Sequence, residues 1–168
     1  PEQRGYLELA HQFEWAFLLS HAVEKGFPKR FLTIGERLLN YGMKVGYDKE
    51  EGGVFSRGDY QGNAVRGPKG WWEQCESLRT LMHYAAVRGR KDLWPAFEQS
   101  LAYARKHLID ADCGGWYYAY DPKAATQRTK WAQPTRPQST WVMSIAQRRS
   151  LFVVRLTEAF TRDHGVTV

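Results

Sequence analysis

Cysteine is scarce in this sequence, with Cys75 and Cys113 the only two among 168 residues. Two thiols are too few for a disulfide framework, and no CxxC or HxxxH spacing offers a metal site. No apolar run approaches the ~20 residues that a membrane span needs. The opening Pro1-Glu2-Gln3-Arg4 lacks the charged start and apolar block of a secretion signal. It also lacks an initiator Met, so a trimmed or partial chain is the expectation. Together these absences predict no metal, no membrane partner and a reducing, cytoplasmic setting.

An acidic surface is missing too, since the formal net charge is +6. Its distribution limits what it can mean. Residues 1–122 hold 16 basic and 16 acidic side chains, whereas residues 123–168 hold 8 basic and only Glu158 and Asp163. The whole excess therefore lies in the last segment. A nucleic-acid footprint would have to lie there, and the balanced remainder leads us to expect no nucleic-acid partner.

What the chain has in plenty is aromatic residues (14%, with seven Trp) and a pattern written twice. At an offset of 62, Glu14 falls on Glu76, His21 on His83, Leu39 on Leu101, Tyr41 on Tyr103 and Gly52-Gly53 on Gly114-Gly115. Self-similarity at one period marks a repeat architecture. Each unit is long enough for two helices and a Gly-rich connection.

Periodicity predicts a first helix over about 5–25, with His11, Glu14, Trp15 and Leu18 on one stripe. Pro28 opens a second, with Phe31, Ile34, Leu38, Tyr41 and Val45 as its apolar stripe. A glycine-rich loop over 48–69 follows, with a short strand starting at Val54-Phe55. A third helix covers about 71–88, and a fourth starts with Asp92 as its N-cap and Pro95 in its first turn. A last helix is expected over 140–161. The fold class is all-α: a partial toroid of stacked helical hairpins with short Gly-Gly β-turn connections. The odd helices, which carry the polar and aromatic motifs, form its inner layer. Such units bury their apolar faces only against neighbours.

His11 and Glu14 lie three apart, hence on one helical face. A carboxylate within reach of an imidazole fixes its tautomer and raises its basicity, as a general base needs. Trp15 flanks this pair, and Trp71-Trp72 precede its echo at Glu73 and Glu76. Indole faces beside carboxylates suit sugar rings, whose C–H faces stack while their hydroxyls bond the charges. Trp116 and Tyr118 could line the same cavity or cover helix ends.

The segment His11-Gln-Phe-Glu-Trp-Ala-Phe-Leu-Leu resembles the HxxEWxWLL signature of the N-acylglucosamine 2-epimerase family, which includes cellobiose 2-epimerases and mannose-type aldose–ketose isomerases. Gly52-Gly53, Lys69-Gly70-Trp71-Trp72-Glu73-Gln74-Cys75-Glu76 (the family's KxWWxQxE) and Gly114-Gly115-Trp116 follow in the family's order. The resemblance covers about residues 4–131. It implies an (α/α)6 barrel and cofactor-free proton transfer next to the carbonyl of an open-chain sugar. Carried over by position, His11 is an acid/base histidine and Glu14 its orienting carboxylate. Trp15, Trp71, Trp72 and Glu76 would bind the sugar, with Arg4 as a further contact. A homodimer is compatible with this reading.

The family's second acid/base histidine, in a Tyr-His pair, has no counterpart here. Pro134-Thr135-Arg136-Pro137 follows Lys130-Trp131, and the only later histidine is His164. The resemblance thus divides the chain into 1–131, the C-terminal half of a sugar epimerase or isomerase domain, and a divergent basic segment over 132–168. Divergence or a shifted reading frame would account for the break. With one of two histidines and about half a barrel, the expectation is an incomplete, inactive fragment. Two other readings stay open: an α/α-toroid glycoside hydrolase or lyase using paired carboxylates, and a non-enzymatic helical-repeat interaction module.

Overall fold

The computed structural model describes residues 6–110, 115–124 and 128–129. The chain divides into two compact units, Pro1–Lys130 and Trp131–Val168. Every described residue belongs to the first, so the helix expected over 140–161 lies outside the described residues.

Four helices carry the described part: α1 (Ala10–Glu24), α2 (Arg30–Val45), α3 (Trp71–Val87) and α4 (Trp94–His107). They form two hairpins, α1 with α2 and α3 with α4, and α3 also packs against α1. Among them run six two-residue strands. β1 (Leu7–Glu8), β2 (Arg57–Gly58) and β3 (Ala64–Val65) make one antiparallel sheet, and β4 (Lys69–Gly70), β5 (Ala119–Tyr120) and β6 (Arg128–Thr129) make another. The all-α reading is therefore refined: each connection is a small three-stranded sheet rather than a bare turn. The hairpin begins at Arg57, just past the expected Val54-Phe55.

The 62-residue period is physical. Leu7 pairs with Gly58, and Lys69 with Tyr120. The Leu9 amide donates to the Ser56 carbonyl at 3.0 Å, and that of Trp71 to the Tyr118 carbonyl at 3.1 Å. Tyr47 bridges Val54 just as Ile109 bridges Trp116. The Asp48 amide donates to the Gly53 carbonyl at 2.9 Å, matched by Asp110 to Gly115 at 2.8 Å. Each partner in the second unit stands 62 positions after its equivalent. These bonds also explain why α1 starts at Ala10 and not near Gly5. The backbone of Leu7–Leu9 is already committed to β2 and Ser56, and helical bonding begins only once that pairing ends.

The stripe of α2 comes out differently from its sequence reading. Its buried residues are Gly35, Leu39, Gly42 and Val45, while Ile34 is 44% exposed. The cause is close helix contact. A Cβ on Gly42 would lie 2.8 Å from the Phe13 ring, and one on Gly35 would lie 2.6 Å from the Tyr84 hydroxyl. The absence of side chains lets α1 approach, so the bulkier Phe31, Ile34, Leu38 and Tyr41 turn elsewhere. Asp92 is also reassigned. It sits in a 3-10 turn (Lys91–Leu93) that leads into α4, and chelates Arg90 at 2.8 and 2.9 Å instead of capping the helix. Pro95 does occupy the first turn of α4.

The core lies between the helices. Phe13, Ala16, Leu39, Leu81, Tyr84 and Ala104 have no exposed surface, and full burial of one large apolar side chain is worth about 1.5–3 kcal/mol. Helix α3, sandwiched between α1 and α4, buries polar residues as well. Thr80 donates to the Phe13 carbonyl at 2.8 Å and Tyr84 to the Ala16 carbonyl at 3.1 Å, both on α1.

Candidate active site

The start of α3 is fixed from two sides. Its leading strand β4 pairs with β5, and the Trp71 amide is taken by Tyr118. Behind it, two residues of the Lys69–Glu76 motif act as fasteners. The Gln74 amide group donates to the carbonyls of Val54 (2.9 Å) and Gly70 (3.1 Å) and accepts from the Val54 amide (2.8 Å). Lys69 donates to Asp48 and to the Gly52 carbonyl, both at 2.7 Å. Its ammonium also lies 4.2 Å from the Tyr103 ring centre. Burial pushes this ammonium below its ordinary range against the pull of Asp48. Burial works upward on Asp48, but the bond from Lys69 and the Glu50 and Glu51 amides outweigh it and hold that carboxyl low. Lys69 and Gln74 belong to the motif by position, and in the fold both hold the preceding Gly-Gly turn, a contact that local sequence does not contain.

With its base held, α3 presents Trp71, Trp72 and Glu73 to a cleft of about 510 Å³. Glu8, Arg57 and Tyr118 line the cleft as well. Its volume lies within the usual range of small-molecule sites. Arg57 contacts Glu8 at 3.8 Å and covers the Tyr6 ring at 4.2 Å. His11, from the first turn of α1, sets its ring edge-on to Trp72 with centroids 5.2 Å apart. The His11–Glu14 separation is 3.9 Å, one turn apart but beyond hydrogen-bond length.

The structure thus sets His11 against Trp72, with Glu14 one turn along; Trp71, Trp72 and Tyr118 line the cleft, whereas His11, 49% exposed, and Glu14 do not. Two other expected contacts, Trp15 and Glu76, fall elsewhere. Trp15 is 53% exposed and does not line the cleft. Glu76 is ion-paired to Arg79, whose guanidinium lies over Phe17 at 4.2 Å. Arg4, along with Trp131 and the prolines after it, lies outside the described residues. Glu73 and Arg57 went unassigned, although the repeat carried a signal for Glu73, which is the counterpart of His11.

A second polar cluster occupies the other ends of α1 and α3. The Ser20 hydroxyl contacts His83 Nε2 at 2.8 Å and accepts from Arg88 Nε at 2.7 Å. Arg88 also donates to the Ser20 carbonyl and pairs with Glu24 at 3.3 Å. Burial, with Arg88, His21 and Arg79 adding to it against Glu24, lowers His83 to about 4. Ser20 has no exposed surface, so this arrangement ties helices and offers no nucleophile to solvent.

No group of three or more His, Cys, Asp or Glu among the described residues could hold a metal, and no helix among them is long and apolar enough to cross a membrane. Residues 4–136 match the model of the N-acylglucosamine 2-epimerase (GlcNAc 2-epimerase) family. The chain belongs to that family. This epimerase-family chain is 28% identical over 105 residues to the Mus musculus N-acylglucosamine 2-epimerase, covering 60% of itself and 25% of that protein. Among solved structures it resembles a D-mannose isomerase (TM-score 0.67, 21% identity, 89% of this chain and 37% of the other). It also resembles the cellobiose 2-epimerase of Spirochaeta thermophila (TM-score 0.63, 16% identity, 72% and 30%). At these identities the structural likeness speaks for the fold alone: the chain corresponds to part of an α/α-barrel architecture. The chain spans well under half the length of these relatives.

Proposed function

We propose that the cleft is part of a sugar 2-epimerase or aldose–ketose isomerase site, in an (α/α)6 arrangement, with His11 as its proton-transferring base. The single observation that carries this reading is the edge-on contact of His11 with Trp72, a residue that lines the cleft. A sugar ring or open chain laid on Trp71 and Trp72 has its C–H bonds facing an imidazole. Unprotonated His11 takes the proton next to the carbonyl, and the electron pair moves into an enediolate. Glu14, 3.9 Å away, closes on the imidazolium as it forms; such bonds are often long until substrate is bound. Returning the proton on the opposite face gives the 2-epimer, and placing it on the neighbouring carbon gives the ketose. In this reading the second acid/base group comes from outside the described residues. A paired-carboxylate hydrolase is less well supported, because Glu76 is occupied by Arg79.

Hydrogen exchange at the sugar's C2 tests the reading, since wash-out needs one base where full epimerisation needs two proton positions. NMR in deuterated water with D-mannose, cellobiose and N-acetyl-D-glucosamine should show label entering C2. His11→Ala should slow this by roughly 10²–10⁴-fold, the usual worth of a general base. Exchange that persists in the variant at the wild-type rate refutes the assignment.

A further inference from the structure

Among the described residues, the charged side chains that line the cleft are Glu8, Arg57 and Glu73. Glu8 and Arg57 lie 3.8 Å apart, so their charges largely offset each other. Glu73 has no such counterpart. Among the described residues its carboxylate makes no hydrogen bond or ion pair. It is half-buried beside Trp72, in the same turn of α3. It folds back over the backbone at the cleft wall, where a Cβ on Gly70 would lie 2.3 Å from its Oε2. In repeat register it is the counterpart of His11, whose ring lies against the neighbouring Trp72. The family pattern KxWWxQxE leaves this position open, and in this chain it is filled by an acid.

We infer that Glu73 is a specificity-determining residue of the cleft, accepting hydrogen bonds from sugar hydroxyls and rejecting sugars that carry a phosphate or carboxylate. This rests on the sugar-site reading above and goes beyond it in naming the selector. The physics has two separable parts. A carboxylate acceptor strengthens binding of any sugar that offers an O–H to it. Its negative charge repels an anionic substituent a few ångströms away, and at the half-screened dielectric of an open cleft that repulsion amounts to about tenfold in affinity. Arg57, already neutralised by Glu8, does not reverse the sign.

The test is a titration of the 168-residue chain by tryptophan fluorescence, with D-mannose and D-mannose 6-phosphate as probes, for wild type, Glu73→Gln and Glu73→Ala. Wild type should prefer mannose by about tenfold. Glu73→Gln, which keeps an acceptor and the shape, should hold mannose affinity within about threefold and bring the phosphate to near parity. Glu73→Ala should lose roughly tenfold on mannose as the hydrogen bond goes. A merely structural glutamate would not move the ratio of the two ligands. A preference unchanged in both variants overturns the proposal while leaving the sugar site standing. Failure of the wild type to bind either sugar overturns both.

Discussion

Replacing Lys69 with methionine removes one charge from a pair whose side chains are only 4% and 9% exposed and whose Nζ–Oδ2 distance is 2.7 Å. At an effective dielectric near 20, the direct attraction at that distance is about 6 kcal/mol. Much of this is offset by what it costs to take both ions out of water, so the pair's net contribution is far smaller. Removing one partner is a different matter. Asp48 would stay buried with its Oδ2 unpaired, and the Gly52 carbonyl would lose its 2.7 Å donor. Such stranding costs about 3–5 kcal/mol. The second half of a double-mutant cycle separates charge from shape. Asp48→Asn retains the acceptor for the Glu50 amide, now 3.0 Å from Oδ1, while removing the charge. In that background Lys69→Met should cost only about 1 kcal/mol. Urea unfolding followed by tryptophan fluorescence reads both numbers by linear extrapolation, with an unchanged slope confirming that only stability moved. The reasoning fails if Lys69→Met alone costs under 1 kcal/mol, or if the two substitutions simply add.

The remaining expectations concern backbone conformation and pH. Gly53 has φ +75°, and a Cβ there would meet Gln74 Oε1 at 2.6 Å, so Gly53→Ala should lose about 2–4 kcal/mol. At Gly62, with φ +85° and nothing within 4 Å of a new Cβ, the same change should cost about 1 kcal/mol, and equal losses at both sites would discredit the Gln74 contact. For pH, folded His83 titrates near 4 and an unfolded histidine near 6.5, so between these values unfolding takes up a proton. Stability should be fully present above about pH 6.5 and fall as the solution is acidified, by roughly 2 kcal/mol at pH 5. Urea midpoints at pH 7 and pH 5 measure this, and His83→Gln should flatten the difference.

The repeat was readable because it is written in matched residues, and the hydrogen bonds that realise it keep the same 62-residue spacing. Three of the four described helices fell near their expected spans for a related reason: Gly, Pro and periodic apolar residues punctuate them. What pattern reading missed was contact made by small or polar groups. Gly35 and Gly42 carry no hydrophobic signal, yet they decide which face of α2 is buried. Glu76 is carried into the sugar site by the family motif, but a motif does not reveal that Arg79, one turn on, pairs with it. His11 and Trp72 are 61 positions apart, and their meeting depends on how α1 and α3 pack, a tertiary fact that local periodicity does not contain. The family resemblance put them in one site, and the geometry supplied the contact.

The side chain of Gln74 reaches back 20 residues to complete a turn that belongs to the unit before it. Neither unit is therefore a self-sufficient building block. A cut placed at the apparent seam, ahead of β4, would leave the upstream piece with open amide and carbonyl groups at Val54 and a stranded carboxylate at Asp48. The workable seam lies past the first turn of α3, so that whoever trims or recombines such chains must carry the next helix's opening residues along with the piece they close.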